Sequence, residues 1–262
     1  MFDRIFHLPE IPMSIASGLT FALIACACIV AARRFARPHI HAGGSSNGVI
    51  EAVMAFFAAI YGILLGLLAV NAYDNMNKVN DIVATEASII SVVYLDANGL
   101  PPPTRDRLQA GLEAYVRKVV DNSIPQQRRG IRPSGERPMA AEVLRAVQSF
   151  EPKTRTEEIL QAEVVRQLSN LQQVRHERLD SSTVGIPPVL WWIVGLGAAV
   201  AVLMVSILDY PLRPHLILGG LLAFYIGAMI FVIGAMDTPF AGSDDVGSAA
   251  FEQLLRLVET PP

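Results

Sequence analysis

Residues 49–73 read VIEAVMAFFAAIYGILLGLLAVNAY, and the only formal charge among them is Glu51, near the start. A helix crosses the ~30 Å hydrocarbon layer of a bilayer with about 20 consecutive, mostly apolar residues. This stretch meets that requirement, so it reads as a membrane span. Its small residues follow a pattern: Ala55, Ala59, Gly62, Gly66 and Ala69 recur in alternating steps of four and three. Such spacing lays them along one side of a helix, and in lipid small residues mark faces of close helix–helix contact. The bulky residues Phe57, Tyr61, Leu64 and Leu68 form another side. They read either as lipid contact or core, or as a hydrophobic constriction of the kind that gates a pore by dewetting.

Three further stretches have the same character: Ile11 to Ala32, Pro187 to Leu208, and Leu216 to Met236. Trp191 and Trp192 lie near one end of the third span, where an interfacial aromatic belt would place them. Leu23-Ile24-Ala25-Cys26 resembles a lipoprotein-processing site, but the apolar run continues to Ala32 and is followed by Arg33, Arg34 and Arg37. The N-terminus sets Asp3 and Glu10 against Arg4, a poor start for a cleaved signal, so the first span is expected to be retained. Composition agrees with this reading. Of the 262 residues 52% are apolar and only 17% charged, with a mean hydropathy of +0.40. Soluble domains carry about a quarter charged residues. The net charge of −3 gives no reason to expect a nucleic-acid partner. Cys26 and Cys28, two positions apart, fall on different helix faces and imply neither a disulfide nor a metal site.

The stretch from Asp74 to Ile186 is the aqueous part. Asp81 to Leu95 is expected to prolong the second helix into water, with a strand as the alternative that its Ile and Val content leaves open, and Asn98-Gly99 with Pro101-Pro102-Pro103 to stop it. Thr104 is placed to cap the next helix, which carries Leu108, Leu112, Tyr115, Val116 and Val119 on one face. Ser123 to Arg137 reads as a mobile loop. Val143, Val147 and Phe150 mark a short helix, and Thr154 and Glu157 have capping-box spacing. Beyond them Leu160, Val164, Leu168 and Leu171 repeat at a spacing suited to helix packing. Between the third and fourth spans, Asp209 to His215 holds two prolines and is so short that it forces an antiparallel hairpin.

The predicted fold is therefore an all-α membrane protein with four transmembrane helices and a helical extramembrane region between the second and third. Its expected parts are 1–73, an N-terminal helix pair; 74–186, the extramembrane region; and 187–262, a C-terminal hairpin and tail. The fourth span adds a second series of small residues, Gly220, Gly227 and Gly234. With Gly62 and Gly66, these are candidates for helix packing within one chain or between copies. The sequence contains no nucleotide loop, zinc motif, nucleophile elbow or catalytic carboxylate pair, so an enzyme is not expected. No charge lies deep within a span, which argues against a proton-coupled transporter. His39 and His41 read as solvated loop residues.

Three passages together resemble a known family. The first is Tyr61-Gly-Ile-Leu-Leu-Gly66 with Val83-Ala-Thr-Glu86-Ala-Ser and Leu112-Glu-Ala-Tyr115-Val. The second is Arg175-His-Glu-Arg178-Leu179 leading into Gly185-Ile186-Pro187-Pro-Val-Leu-Trp191. The third is Asp237-Thr-Pro239-Phe240-Ala-Gly242-Ser-Asp244-Asp245. The pattern resembles the bestrophin-like family of bacterial membrane proteins, a domain family of unknown function. More distantly it is similar to the true bestrophins, pentameric anion channels in many of which Ca²⁺ holds the channel open. Ile186-Pro187 resembles their Ile-Pro at the start of the third helix, and Pro239-Phe240-Ala-Gly242 their Pro-Phe-Gly turn after the fourth. In bestrophins the acids after that turn help to bind Ca²⁺. Here only Asp244 and Asp245 follow, with a residue inserted before Gly242. Ca²⁺ takes 6–8 oxygen ligands, so this pair reads as solvated or helix-capping acids, with calcium as the alternative.

The resemblance implies a homo-oligomeric ion channel, a pentamer surrounded by membrane lipids, with the second helices around a pore that passes small anions. Phe57, Tyr61, Leu64 and Leu68 are its candidate lining. The competing expectation is a non-conducting sensor or scaffold whose helical aqueous region binds a partner. Sidedness is contested. The short loops carry Arg33, Arg34, Arg37 and Arg213, which the positive-inside rule places in the cytoplasm. The resemblance implies the reverse: an inner-membrane protein with both termini and the large helical region in the cytoplasm. The charge bias is small against Arg4, Lys78, Arg175 and Arg178 on the opposite side, and the expectation adopted is that of the resemblance.

Overall fold

The computed structural model describes residues 10–35, 47–133, 136–181, 185–238, 240 and 248–259. Among the described residues the regular elements are all helices, and four of these helices are long and apolar enough to cross a membrane. In chain order they are α1 (Glu10–Phe35), α2 (Asn47–Asp96), α3 (Pro102–Lys118), α4 (Ile124–Arg128), α5 (Glu136–Gln148), α6 (Arg155–Ser181), α7 (Pro188–Ile207), α8 (Leu212–Asp237) and α9 (Ser248–Glu259). The spans are α1, the first part of α2, α7 and α8, so the protein has the all-α membrane fold expected. The expected extension of the second helix is present: α2 runs for 50 residues without a break. At about 1.5 Å per residue that is about 75 Å, far longer than the bilayer requires.

The chain divides into two compact units. One comprises Met1–Asn75 and Gly185–Asp237, and the other Met76–Val184 and Thr238–Pro262. The first holds the four spans and is called the membrane unit. Its helices meet through glycines. A Cβ built on Gly227 would lie 2.7 Å from Phe21 of α1, and one on Gly18 would lie 2.7 Å from the Phe224 ring of α8. Gly219 receives Ile29 of α1 and Val205 of α7 in the same way. Each bulky side chain thus sits against bare backbone on the facing helix, which brings the helix axes close and raises dispersion contact where lipid gives no hydrophobic drive. The α7–α8 hairpin forms as expected. Leu208 turns to an extended conformation and ends α7. Pro214 falls in the first turn of α8, where the missing N–H costs no helical bond.

The second unit is built like a soluble domain, with a core drawn from several helices. Val83, Ile90 and Val93 of α2 pack with Leu108, Leu112 and Tyr115 of α3 and with Val164, Leu168 and Leu171 of α6. The face predicted for α6 is the buried one. Its start is also as predicted: Glu157 N–H donates to Thr154 Oγ1 at 3.2 Å, and Thr154 N–H to Glu157 Oε2 at 3.2 Å. These reciprocal bonds satisfy donors that the first turn leaves open.

Two local expectations are corrected. Thr104 does not cap α3. The cap is Pro101, without a side-chain bond, and Pro102 and Pro103 open the helix. Proline fits there because the first N–H groups of a helix have no intrahelical acceptor. The expected loop Ser123–Arg137 is in its first part helical. A π-helical turn covers Val119–Ser123, and α4 continues to Arg128. Ile124 and Gln127 are buried there. The chain leaves the helix at Gly130, whose φ of 70° suits glycine.

Candidate functional site: the two faces of the second helix and the clustered motif residues

At about 100° per residue, the spanning part of α2 has one face turned to its own chain and one turned away. Tyr61, Leu65, Leu68 and Ala72 form the inner face and pack with Val194, Ala198 and Ala201 of α7 and with Ile226 and Ile233 of α8. The Tyr61 ring fills the space beside Gly197, where a Cβ would approach to 2.3 Å. Its hydroxyl donates to the Val194 carbonyl at 2.9 Å, which satisfies a polar group far from water. Phe57 stacks on Tyr61 with centroids 5.6 Å apart. Phe57 and Leu64 are half-buried at the border of this face.

The four residues expected to line a pore therefore lie on or beside the face packed within the chain. Tyr61 and Leu68 are buried there. In a helix apolar all round, sequence gives the angular spacing of residues but not which face meets which neighbour.

The outward face is the opposite one. It carries Phe56, Ile60, Ile63, Leu67 and Val70, all exposed. Beside this stripe run the small residues. Among the described residues nothing lies within 4 Å of a Cβ built on Gly62 or on Gly66. The fourth-span glycines behave differently. Gly227 is filled by Phe21, Gly220 lies 3.3 Å from the Cys26 sulfur, and Gly234 meets Trp191 at ordinary contact distance. The glycines of α8 are thus used inside the chain, whereas among the described residues none fills the space beside Gly62 and Gly66 of α2.

Within each unit, residues from the passages that carry the family resemblance meet. In the second unit, Glu86 of α2, Tyr115 of α3, Gln127 of α4 and Arg178 of α6 form one buried network. Arg178 Nε donates to Glu86 Oε2 at 2.6 Å and Nη2 to Glu86 Oε1 at 3.4 Å. Arg178 Nη1 donates to Gln127 Oε1 at 2.5 Å. The Tyr115 hydroxyl donates to Glu86 Oε1 at 2.5 Å. Gln127 Nε2 donates to the Arg178 carbonyl at 3.2 Å. Glu86 and Arg178 are both wholly removed from solvent. A buried pair of this kind gains little net stability over a well-packed apolar core, but breaking it leaves an uncompensated charge. It ties four helices in one register. Sequence reading singled out Glu86, Tyr115 and Arg178 without assigning them a joint role. It missed Gln127 altogether, because a glutamine in a polar, arginine-rich stretch gives no sign of burial.

In the membrane unit, Asp237 at the end of α8 accepts from the Ile186 N–H at 2.6 Å and from Trp191 Nε1 at 3.2 Å. A carboxylate there also meets the positive end of the α7 dipole. Gly185 is packed against the same carboxylate, 3.2 Å from its would-be Cβ. Two motifs separated in sequence are thus joined at one acid. At the α7–α8 link, the Tyr210 hydroxyl donates to the Glu51 carboxylate of α2. That hydrogen bond is the main cause that raises the Tyr210 phenol above its ordinary value of 10.0. Asp244 and Asp245, the calcium candidates, lie outside the described residues. Among the described residues no three His, Cys, Asp or Glu gather as a metal site.

These features define a multi-pass helical membrane protein. The chain belongs to the bestrophin-like family: its residues 19–251 match the bestrophin-like domain. No curated protein matches it at a significant level. Its fold is shared with solved structures. A bacterial bestrophin homolog from Klebsiella pneumoniae carrying one point substitution is 13% identical, with a TM-score of 0.65 over 96% of this chain and 100% of that one. A crystal structure described as a membrane protein with a leucine-to-alanine substitution is 12% identical, with a TM-score of 0.69 over 91% of this chain and 94% of that one. At such identities the likeness is one of fold.

Proposed function

We propose that the protein is one subunit of a homo-oligomeric ion channel whose second helices surround the pore. The observation that carries this reading is the outward face of α2: an open small-residue seam at Gly62 and Gly66 beside an exposed apolar stripe. A seam of this type favours close approach of another helix, and family membership supports a second copy as the partner. When α2 helices meet through that seam, the adjoining stripe of Ile60, Ile63 and Leu67 is turned towards the axis, with Phe57 and Leu64 at its edge. Such a ring is an apolar constriction that controls passage by wetting and dewetting. The resemblance to bestrophins supports small anions as the permeant species, a pentamer as the assembly, and an inner-membrane location with the second unit in the cytoplasm.

Purified protein in a planar bilayer tests the proposal. The expected result is an ion-selective current that increases when Ile63 or Leu67 is replaced by a smaller, polar residue such as serine. An intact oligomer that stays silent, with or without those substitutions, would favour the rival reading of a sensor or scaffold. Reversal potentials in a chloride gradient test the anion preference separately.

A further inference from the structure

A cavity of about 260 Å³ opens in the membrane unit at the α7–α8 link. Met54 of α2, Val205 of α7, and Leu218 and Leu222 of α8 form its walls, and Tyr210 and Pro211 of the link close one end. The buried His215 ring turns its Nε2 to the Val205 carbonyl at 2.8 Å, so that polar edge is engaged in the wall. The remaining polar feature is at the end, where the Tyr210 hydroxyl is bonded to Glu51. Leu218 is 67% exposed. In a spanning helix the medium beyond it is hydrocarbon, not water. An apolar cavity does not hold water, and one of about 150 Å³ takes up benzene, so this one has room for roughly ten carbons.

An acyl chain gains little by moving from the bilayer into an apolar pocket, because both surroundings are hydrocarbon. Selection must therefore come from the polar end. Glu51 supplies a carboxylate there through its bond to Tyr210, and Arg213, exposed in the first turn of α8 and next in sequence to Pro214 of the lining, supplies a cation. We infer that the cavity is a phospholipid site: one acyl chain lies between α2 and α8, the headgroup phosphate is drawn to Arg213, and a headgroup ammonium to Glu51 beside Tyr210. The lipid class is a zwitterionic phospholipid with a primary amine, of the phosphatidylethanolamine type. The inference rests on the membrane fold and is independent of whether the protein conducts.

The test uses the full chain in nanodiscs of phosphatidylethanolamine and phosphatidylglycerol, each in turn carrying a photoreactive acyl chain, with labelled peptides mapped by mass spectrometry. Met54, Leu218 and Leu222 should be labelled about tenfold more by the ethanolamine lipid than Leu196 and Leu203, exposed on α7. Filling the cavity by Leu222→Trp, or from the opposite wall by Met54→Phe, should remove that excess and leave the α7 labelling unchanged. Glu51→Gln should lower the preference for the ethanolamine lipid about fivefold. Equal labelling of the two sets, or a headgroup preference indifferent to Glu51→Gln, overturns the proposal. So does efficient chain-to-chain disulfide formation by Leu218→Cys, which would show a second copy in the cavity.

Discussion

The two units hold their helices together by different physics. In the membrane unit an aliphatic cluster is joined by contacts of bulky side chains with bare backbone: Phe21 on Gly227, Phe224 by Gly18, Tyr61 on Gly197. In the second unit, aliphatic side chains form a core as in a soluble domain, and a wholly buried ion pair lies among them. The difference follows from the solvent. Water drives aliphatic side chains together and makes an unpaired buried charge costly. Lipid offers no such drive, so close approach and dispersion decide which helix faces meet. Within the membrane unit a second contrast follows. The glycines of α8 are filled by neighbours in the same chain, and those of α2 are open.

The strongest way to break the comparison is Arg178→Met. It strands Glu86 in the core and should destabilise the second unit by about 3–5 kcal/mol. Denaturant unfolding in detergent, with hydrogen exchange localising the loss to that unit, measures it. The double change Glu86→Met, Arg178→Met should recover most of the loss, since no charge is left unpaired. A double variant as unstable as the single one would mean that the network does more than neutralise itself. Next in size is Gly227→Leu. It forces a side chain into Phe21 and should cost about 1–3 kcal/mol through overpacking, seen as a lower melting temperature of the detergent-solubilised protein.

Asp237→Ala removes the acceptor shared by the Ile186 N–H and Trp191 Nε1. A hydrogen bond to a charged group contributes about 1.5–3 kcal/mol, and a loss near the lower figure is expected, accompanied by a shift in tryptophan fluorescence. Thr154→Ala should cost about 1 kcal/mol at the start of α6, by the same unfolding measurement. The smallest effect on subunit stability is expected from Gly62→Leu with Gly66→Leu, because no described residue stands in their way. Their effect should fall instead on assembly. Mass measurement in mild detergent should show subunits in place of oligomers. A subunit as unstable as the Gly227→Leu variant would mean that the two seams are not distinct, and an unchanged oligomer that the α2 seam lies outside the contact.

The sequence by itself determined the four spans, the long continuation of the second helix and the capping box at Thr154 and Glu157. Each depends on runs or spacings of neighbouring residues, and lipid imposes on a span a demand for length and apolarity that composition alone reveals. It also showed that Glu86, Tyr115, Arg178 and Asp237 stand in telling passages, without showing that the first three meet at one ion pair and that Asp237 joins the start of α7. Only the tertiary structure decided that meeting, the burial of Gln127 in a stretch that reads as loop, and the direction each face of α2 takes. Tyr61 and Gly62 are neighbours in the chain, yet one is buried against α7 and the other looks outward. The reason is that a spanning helix is apolar on every side: periodicity fixes the angle between its residues, but the azimuth of the whole helix is set by packing partners that are distant in sequence.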